Sequence, residues 1–171
     1  MLQTLLSRIG WFLLLLFLQV LVFNHIHIFG YATPMPYVYF LLLLPSSTPR
    51  WAYVFTGFLL GMSIDIFSNT PGMAAASMCL SGLLVPPLVS FFSPADRENE
   101  TFIPSVRSME WSGFLRLAIC SVVINTIAFF CIEYFSFHNW NALLVNICGS
   151  SVLTFLFIAA MELLRNSSQK K

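Results

Sequence analysis

Apolar residues run almost unbroken along this chain, in stretches close to 20 residues long, separated by short clusters of proline, glycine and small polar side chains. That length is what a helix needs to cross about 30 Å of hydrocarbon. Read from break to break, the pattern predicts six spans: residues 8–28, 32–48, 51–68, 72–93, 111–136 and 140–164. The breaks carry helix-ending chemistry. Pro34 and Pro36 precede the second span, Pro45 to Pro49 follow it, and Asn69 to Gly72 divide the third from the fourth. The second span is short, and Pro45 predicts that it is kinked or partly interfacial. The expected fold class is therefore an all-α membrane protein, a six-transmembrane-helix bundle in a single integral membrane domain over residues 1–171.

The few charges orient that bundle. Its eight basic residues are Arg8, Arg50, Arg97, Arg107, Arg116, Arg165, Lys170 and Lys171. With a cytoplasmic N-terminus and six spans, each falls at a cytoplasmic end or loop. The outer loops near 24–36, 68–72 and 136–140 then hold none, as the positive-inside rule requires. Trp11, Trp51 and Trp111 open the outward-going spans and Trp140 opens the last inward one, at the depth amphipathic rings prefer. The expected location is the cell inner membrane, multi-pass, with both termini cytoplasmic. Arg8 ahead of an apolar run imitates a secretory signal, but NHIHIFGYATP offers no small-x-small cleavage site, so the segment reads as a retained span. The long cytoplasmic connection, 94–110, mixes both signs of charge and reads either as a solvated loop or as a docking surface.

Composition narrows the function. Only 9% of residues are charged and the mean hydropathy is +0.83, against about 25% charge in a soluble domain. No soluble catalytic domain fits, and a net charge of +1 gives no basic patch for nucleic acid. Cys79, Cys120, Cys131 and Cys148 lie scattered in apolar runs without CxxC spacing, so they read as packing residues. His25 and His27 are two apart, the wrong spacing for joint metal ligation on one helix face; they and His138 read as interfacial. No nucleophile triad, HExxH or phosphate-binding loop is present. The expectation is a chain with no metal, no cofactor and no catalytic set.

The stretch GFLLGMSIDIFSNTPGM, residues 57–73, concentrates the remaining signal. Gly57 and Gly61 form a GxxxG pair that lets another helix approach closely. Asp65 lies one turn further on near the same face. Ala74, Ala75, Ala76, Ser77, Ser81 and Gly82 keep the fourth span equally small-sided, which predicts a close hairpin of spans three and four. A lone carboxylate at the bilayer centre costs about 2.5–3.5 kcal/mol, and less near an interface that supplies donors. Asn69, Thr70 and the amides of the 68–72 turn are such donors, with Pro71 and Gly72 shaping the turn. Two roles for Asp65 fit: a cap organising the turn, or part of an outward-facing polar cavity or partner site. A proton relay would need a second titratable group at similar depth, for which Glu133 is the candidate.

The runs HIHIFGYATPMPYVYFLLLLPSSTPRW and GFLLGMSIDIFSNTPGMAAAS, continued by IPSVRSMEW and EYFSFHNW, closely resemble the rod shape-determining MreD family of Bacteroidetes-type bacteria. The pattern most general to that family corresponds here to Gly57, Gly61, Asp65, Pro71 and Gly72. The resemblance implies a non-catalytic membrane scaffold of the peptidoglycan elongation complex, required for cell shape. It implies binding to an MreC-like single-span protein and, through it, to an MreB-like filament and the peptidoglycan synthases. A second copy of the chain and membrane lipid are further candidate partners. The fold so implied is similar to the substrate-binding subunits of energy-coupling-factor transporters. In those subunits an alanine-x-x-x-alanine face on the first span docks the energising partner, and here WFLLLLFLQVLVF offers bulky residues instead. The alternative function is a small-molecule or lipid-binding subunit of a transporter or flippase.

Overall fold

The computed structural model of the protein describes residues 2–23, 33–93, 101–134 and 140–168. Every regular element among them is helical. They are α1 (Leu2–Leu21), a 3-10 turn at Pro36–Val38 running into the four-residue α2 (Tyr39–Leu42), α3 (Arg50–Ser68), α4 (Met73–Phe92), α5 (Val106–Glu133) and α6 (Trp140–Ser168). Among the described residues four helices are long and apolar enough to cross a membrane: α3, α4, α5 and residues Leu143–Ser167 of α6. The apolar part of α1, Leu6–Leu21, is shorter. His25, His27, His138, Asp96, Arg97, Glu98, Glu100, Lys170 and Lys171 lie outside the described residues.

The second expected span differs most. In place of a helix over 32–48, only Pro36–Leu42 is helical, short of the roughly 20 residues a helical crossing needs. The segment is instead enclosed by the bundle: from Met35 to Leu44, residue after residue is buried. Enclosure permits irregular backbone, since the polar groups it leaves open find partners in neighbouring helices rather than in lipid. Thr33 N–H donates to Ser150 Oγ at 3.0 Å and Met35 N–H to Thr154 Oγ1 at 2.8 Å, both on α6. Gln19 Nε2 donates to the Pro34 carbonyl at 3.3 Å. At the far end Tyr53 Oη donates to the carbonyls of Leu44 and Pro45. Trp11 and Phe12 of α1 stack edge-on against Tyr39 and Phe40. Hydropathy could not separate this segment from a helix, because an apolar run enclosed by protein and one facing lipid look alike.

The bundle is apolar outside and polar within. Ile66, Phe91 and Leu164 are among the large apolar side chains more than two-thirds exposed, while Ser77, Ser81, Ser121, Asn125, Thr126, Ser150 and Thr154 are fully buried. In water that arrangement would leave every helix with an unpaid apolar face; in hydrocarbon the apolar face is solvated and the hydroxyls bond across helices. Ser81 Oγ donates to Asn125 Oδ1 at 3.2 Å, joining α4 to α5, and Thr126 and Ser151 share a 2.8 Å bond joining α5 to α6. The protein is a helical membrane protein.

Arg50 at the start of α3, Arg107 at the start of α5 and Arg165 near the end of α6 gather at one end of the bundle, and Arg8 lies one turn before Trp11 toward the same end. The described half of the connection 94–110 is docked there rather than solvated. Ser46 and Phe102 exchange hydrogen bonds (Ser46 N–H to the Phe102 carbonyl at 2.8 Å, Phe102 N–H to Ser46 Oγ at 3.1 Å). Ser105 and Ser108 form a capping box that starts α5. Glu110, at φ 60° and ψ 167°, then breaks the helix, so the long rod begins at Trp111, where the fifth span was expected.

Candidate functional site

Among the described elements α3 and α4 make the most extensive helix–helix contact, and glycine lets them approach closely. A methyl group placed on Gly61 would lie 2.5 Å from the Ala74 carbonyl oxygen and 2.6 Å from Ala75 Cα. On Gly57 it would meet the Met78 carbonyl oxygen at 2.8 Å, and on Gly82 the Tyr53 carbonyl oxygen at 2.7 Å. Positions 53, 57 and 61 of α3 thus face 82, 78 and 74–75 of α4, both helices repeating every four residues. The expected close hairpin is present. Its consequence is that Gly57 and Gly61 are occupied within the chain and offer no surface to a second protein.

Asp65 continues that register and closes the hairpin. α3 ends on Asn69 in the left-handed conformation (φ 55°), with its N–H returning to the Asp65 carbonyl. α4 begins after Gly72 (φ 79°), which has no side chain to cap the free amides of the first turn. The Asp65 carboxylate, 7% exposed, takes that place. Oδ1 accepts from Thr70 Oγ1 at 2.6 Å and Ala74 N–H at 3.0 Å, and Oδ2 accepts from Ala75 N–H at 2.8 Å. A carboxylate here meets both the unpaired amides and the positive end of the helix dipole. Of the two roles open in the sequence, the geometry provides the cap. Its donors are Thr70 and the first turn of α4; the Asn69 side chain and the 68–72 amides are not among them.

The outward side of the same turn borders a shallow groove of about 640 Å³ between α3 and α4. Phe58, Met62 and Ile66 of α3 and Ala75 and Ala76 of α4 line it, together with Asp65, Asn69, Pro71 and Gly72 of the turn. Four of the six sequence-derived site residues therefore converge on one surface, and the two glycines form the seam behind it.

A second buried carboxylate escaped the sequence reading. Glu162 of α6 is 3% exposed. It accepts from Tyr39 Oη at 2.6 Å and Val106 N–H at 3.1 Å, and pairs with Arg165 at 3.2 Å. It therefore caps α5 from a different helix, as Asp65 caps α4, at the opposite end of the bundle. Arg165 is its only sequence neighbour among these partners; Tyr39 and Val106, which fix it in the interior, stand more than 50 residues away.

At the end remote from the arginines, α1, α3, α4, α5 and α6 surround a cavity of about 790 Å³. Met35, Tyr37, Ile64 and Asn146 line it together with Glu133, which is exposed. Asp65 lines the groove and Glu133 the cavity, with Thr70 bordering both. The hydrogen bonds that hold the Asp65 carboxylate go to α4 and its turn, as a cap requires.

No family model, curated protein or solved structure matches the chain. Among the described residues no three His, Cys, Asp or Glu side chains gather as a metal site. The four cysteines are free thiols on four separate stretches of α4, α5 and α6.

Proposed function

We propose that this protein is a non-catalytic scaffold of the bacterial cell-wall elongation complex, of the MreD type, which receives the membrane helix of an MreC-like single-span protein on the α3–α4 groove. The carrying observation is that groove: an open surface lined by Ala75 and Ala76 of α4 and by Phe58, Met62 and Ile66 of α3, beside the turn that the Asp65 cap ties to α4. In lipid, helices associate through close packing over small residues, because lipid tails are as apolar as side chains. Ala75 and Ala76 permit that approach, and Phe58, Met62 and Ile66 supply the flanking contact. The sequence resemblance over residues 57–77 and its flanks supports the same reading. So does the gathering of arginines at one end, which favours an inner-membrane orientation with that end and both termini cytoplasmic. In this reading residues 33–48, enclosed from Met35 to Leu44, make the second of six passages. Contact with the filament and the synthases runs through the partner.

A photo-crosslinking residue in place of Ala76, in growing cells, tests the proposal. Adduct formation with the MreC-like protein is expected at position 76 and not at Leu156, a lipid-facing residue of α6. Equal capture at both positions, or capture at neither, overturns it.

A further inference from the structure

We infer that the lipid-facing side of α4 offers a hydrogen-bond acceptor to a partner membrane helix. The acceptor is the Leu83 carbonyl, which Pro87 deprives of its helical donor, and the matching group is a hydroxyl or amide side chain at the partner's mid-span. The inference rests on the reading that the groove receives a partner helix, and it adds the polar contact that fixes the depth of that helix.

Two prolines, Pro86 and Pro87, stand inside α4. Proline has no N–H, so each removes the donor that the carbonyl four residues earlier would receive. Pro86 does this to Gly82, which is buried in the seam with α3 beside Tyr53. Pro87 does it to Leu83, on the opposite face. Leu83 is 52% exposed and Pro87 is exposed as well, and the freed carbonyl lies on the side of the helix between them. Leu83 is the eleventh of the twenty residues of α4, so at 1.5 Å per residue it sits about 15 Å from each end.

Lipid has nothing to give an oxygen at that depth. Water and headgroup hydroxyls lie at the edges of a hydrocarbon layer about 30 Å thick. A backbone polar group left open inside it is costly, and those freed by proline are met by side chains or neighbouring helices. The hydroxyls on this part of the hairpin are committed elsewhere: Ser77 donates to the Ala74 carbonyl, Ser81 to Asn125 and Thr56 to the Ala52 carbonyl. The donor therefore comes from outside the chain, and a second helix is the structure that can carry it to mid-depth.

The face continues the groove. Ala76, Leu83, Pro87 and Ser90 are exposed and follow at intervals of seven, four and three residues, which makes one stripe along α4. Ala76 lines the groove at the end nearer the turn. A helix seated over Ala76 and running along this stripe passes Leu83 two turns later. Apolar contacts in lipid are much alike at every depth and leave the partner free to slide, whereas a single polar contact sets the register.

The test begins with a photo-crosslinking residue in place of Leu83, in growing cells. An adduct with the MreC-like protein is expected, mapping within one turn of a Ser, Thr, Asn or Gln in its span. Replacing that side chain by Ala should weaken association, measured by energy transfer between the two purified full-length proteins in bicelles, about threefold to fifteenfold, the range for one hydrogen bond between membrane helices. Pro87→Ala returns an N–H to the Leu83 carbonyl. It should raise the thermal midpoint of the protein and yet weaken association by a similar factor, a pair of effects that a purely structural proline would not give. In the Pro87→Ala background the partner's substitution should then change nothing further. Capture at Ala76 with none at Leu83, an adduct far from any donor, a second copy of this chain captured at Leu83, or association unchanged in Pro87→Ala overturns this inference and leaves the groove reading standing. Capture at neither position overturns both.

Discussion

Replacing Asp65 by Asn keeps the size of the side chain and removes its charge, which isolates the capping chemistry. Three donors converge on the carboxylate: Thr70 Oγ1 and Ala74 N–H on one oxygen, Ala75 N–H on the other. An amide has one acceptor. Its better orientation leaves the carbonyl oxygen toward Thr70 and Ala74 and turns the NH2 group against the Ala75 N–H, donor against donor. One charge-assisted bond, worth about 1.5–3 kcal/mol, is lost, and two others fall by about 1 kcal/mol each to neutral strength. Relief from burying an ionised group offsets part of this. The net loss is about 2–3 kcal/mol, and Asp65→Ala, with no acceptor, should lose about 3–4 kcal/mol. Unfolding free energy measured by steric trapping in bicelles of fixed composition reads these values directly. A double-mutant cycle of Asp65→Ala with Thr70→Val should return a coupling of about 1 kcal/mol. Asp65→Asn within about 0.5 kcal/mol of wild type, together with a cycle near zero, would refute the capping account.

Other substitutions probe the remaining joints. Gly61→Ala puts a methyl 2.5 Å from backbone that cannot swing away, and should cost about 1–3 kcal/mol in the same assay. Gly10→Ala, on an exposed part of α1 where nothing lies within 4 Å, should instead stabilise by about 0.5–1 kcal/mol. Glu162→Ala leaves Arg165 and the Val106 amide without their buried acceptor, and a loss of about 3 kcal/mol is expected. Glu110→Gly relieves a backbone conformation that is almost confined to glycine and should raise the thermal midpoint, by the equivalent of about 1 kcal/mol.

What could be read from the chain was what local spacing encodes. The α3–α4 hairpin was legible because Gly57, Gly61, Asp65, Pro71 and Gly72 fall within 16 consecutive residues and each states a local requirement: close approach, a cap, a turn. The ends of α3 and α4 came out within a residue or two for the same reason. The enclosed segment 33–44 did not, since its irregular course depends on Ser150, Thr154 and Glu162, all more than 110 residues further along. The docked half of 94–110 was hidden likewise: its charges suggested water, while Ser46, Glu162 and Asn166 hold it to the bundle. The cavity was the least legible feature. Its walls come from six separate stretches, and none of Tyr37, Asn146 or Glu133 looks unusual beside its own neighbours in the sequence.

The scaffold reading has its most direct test in affinity purification of the tagged protein from native membranes, in mild detergent, with identification of the proteins that accompany it. It predicts an MreC-like single-span protein in near-stoichiometric amount, lost when Ala76 is replaced by Trp to fill the groove. Recovery of the protein without that partner, or with a partner indifferent to Ala76→Trp, would contradict it.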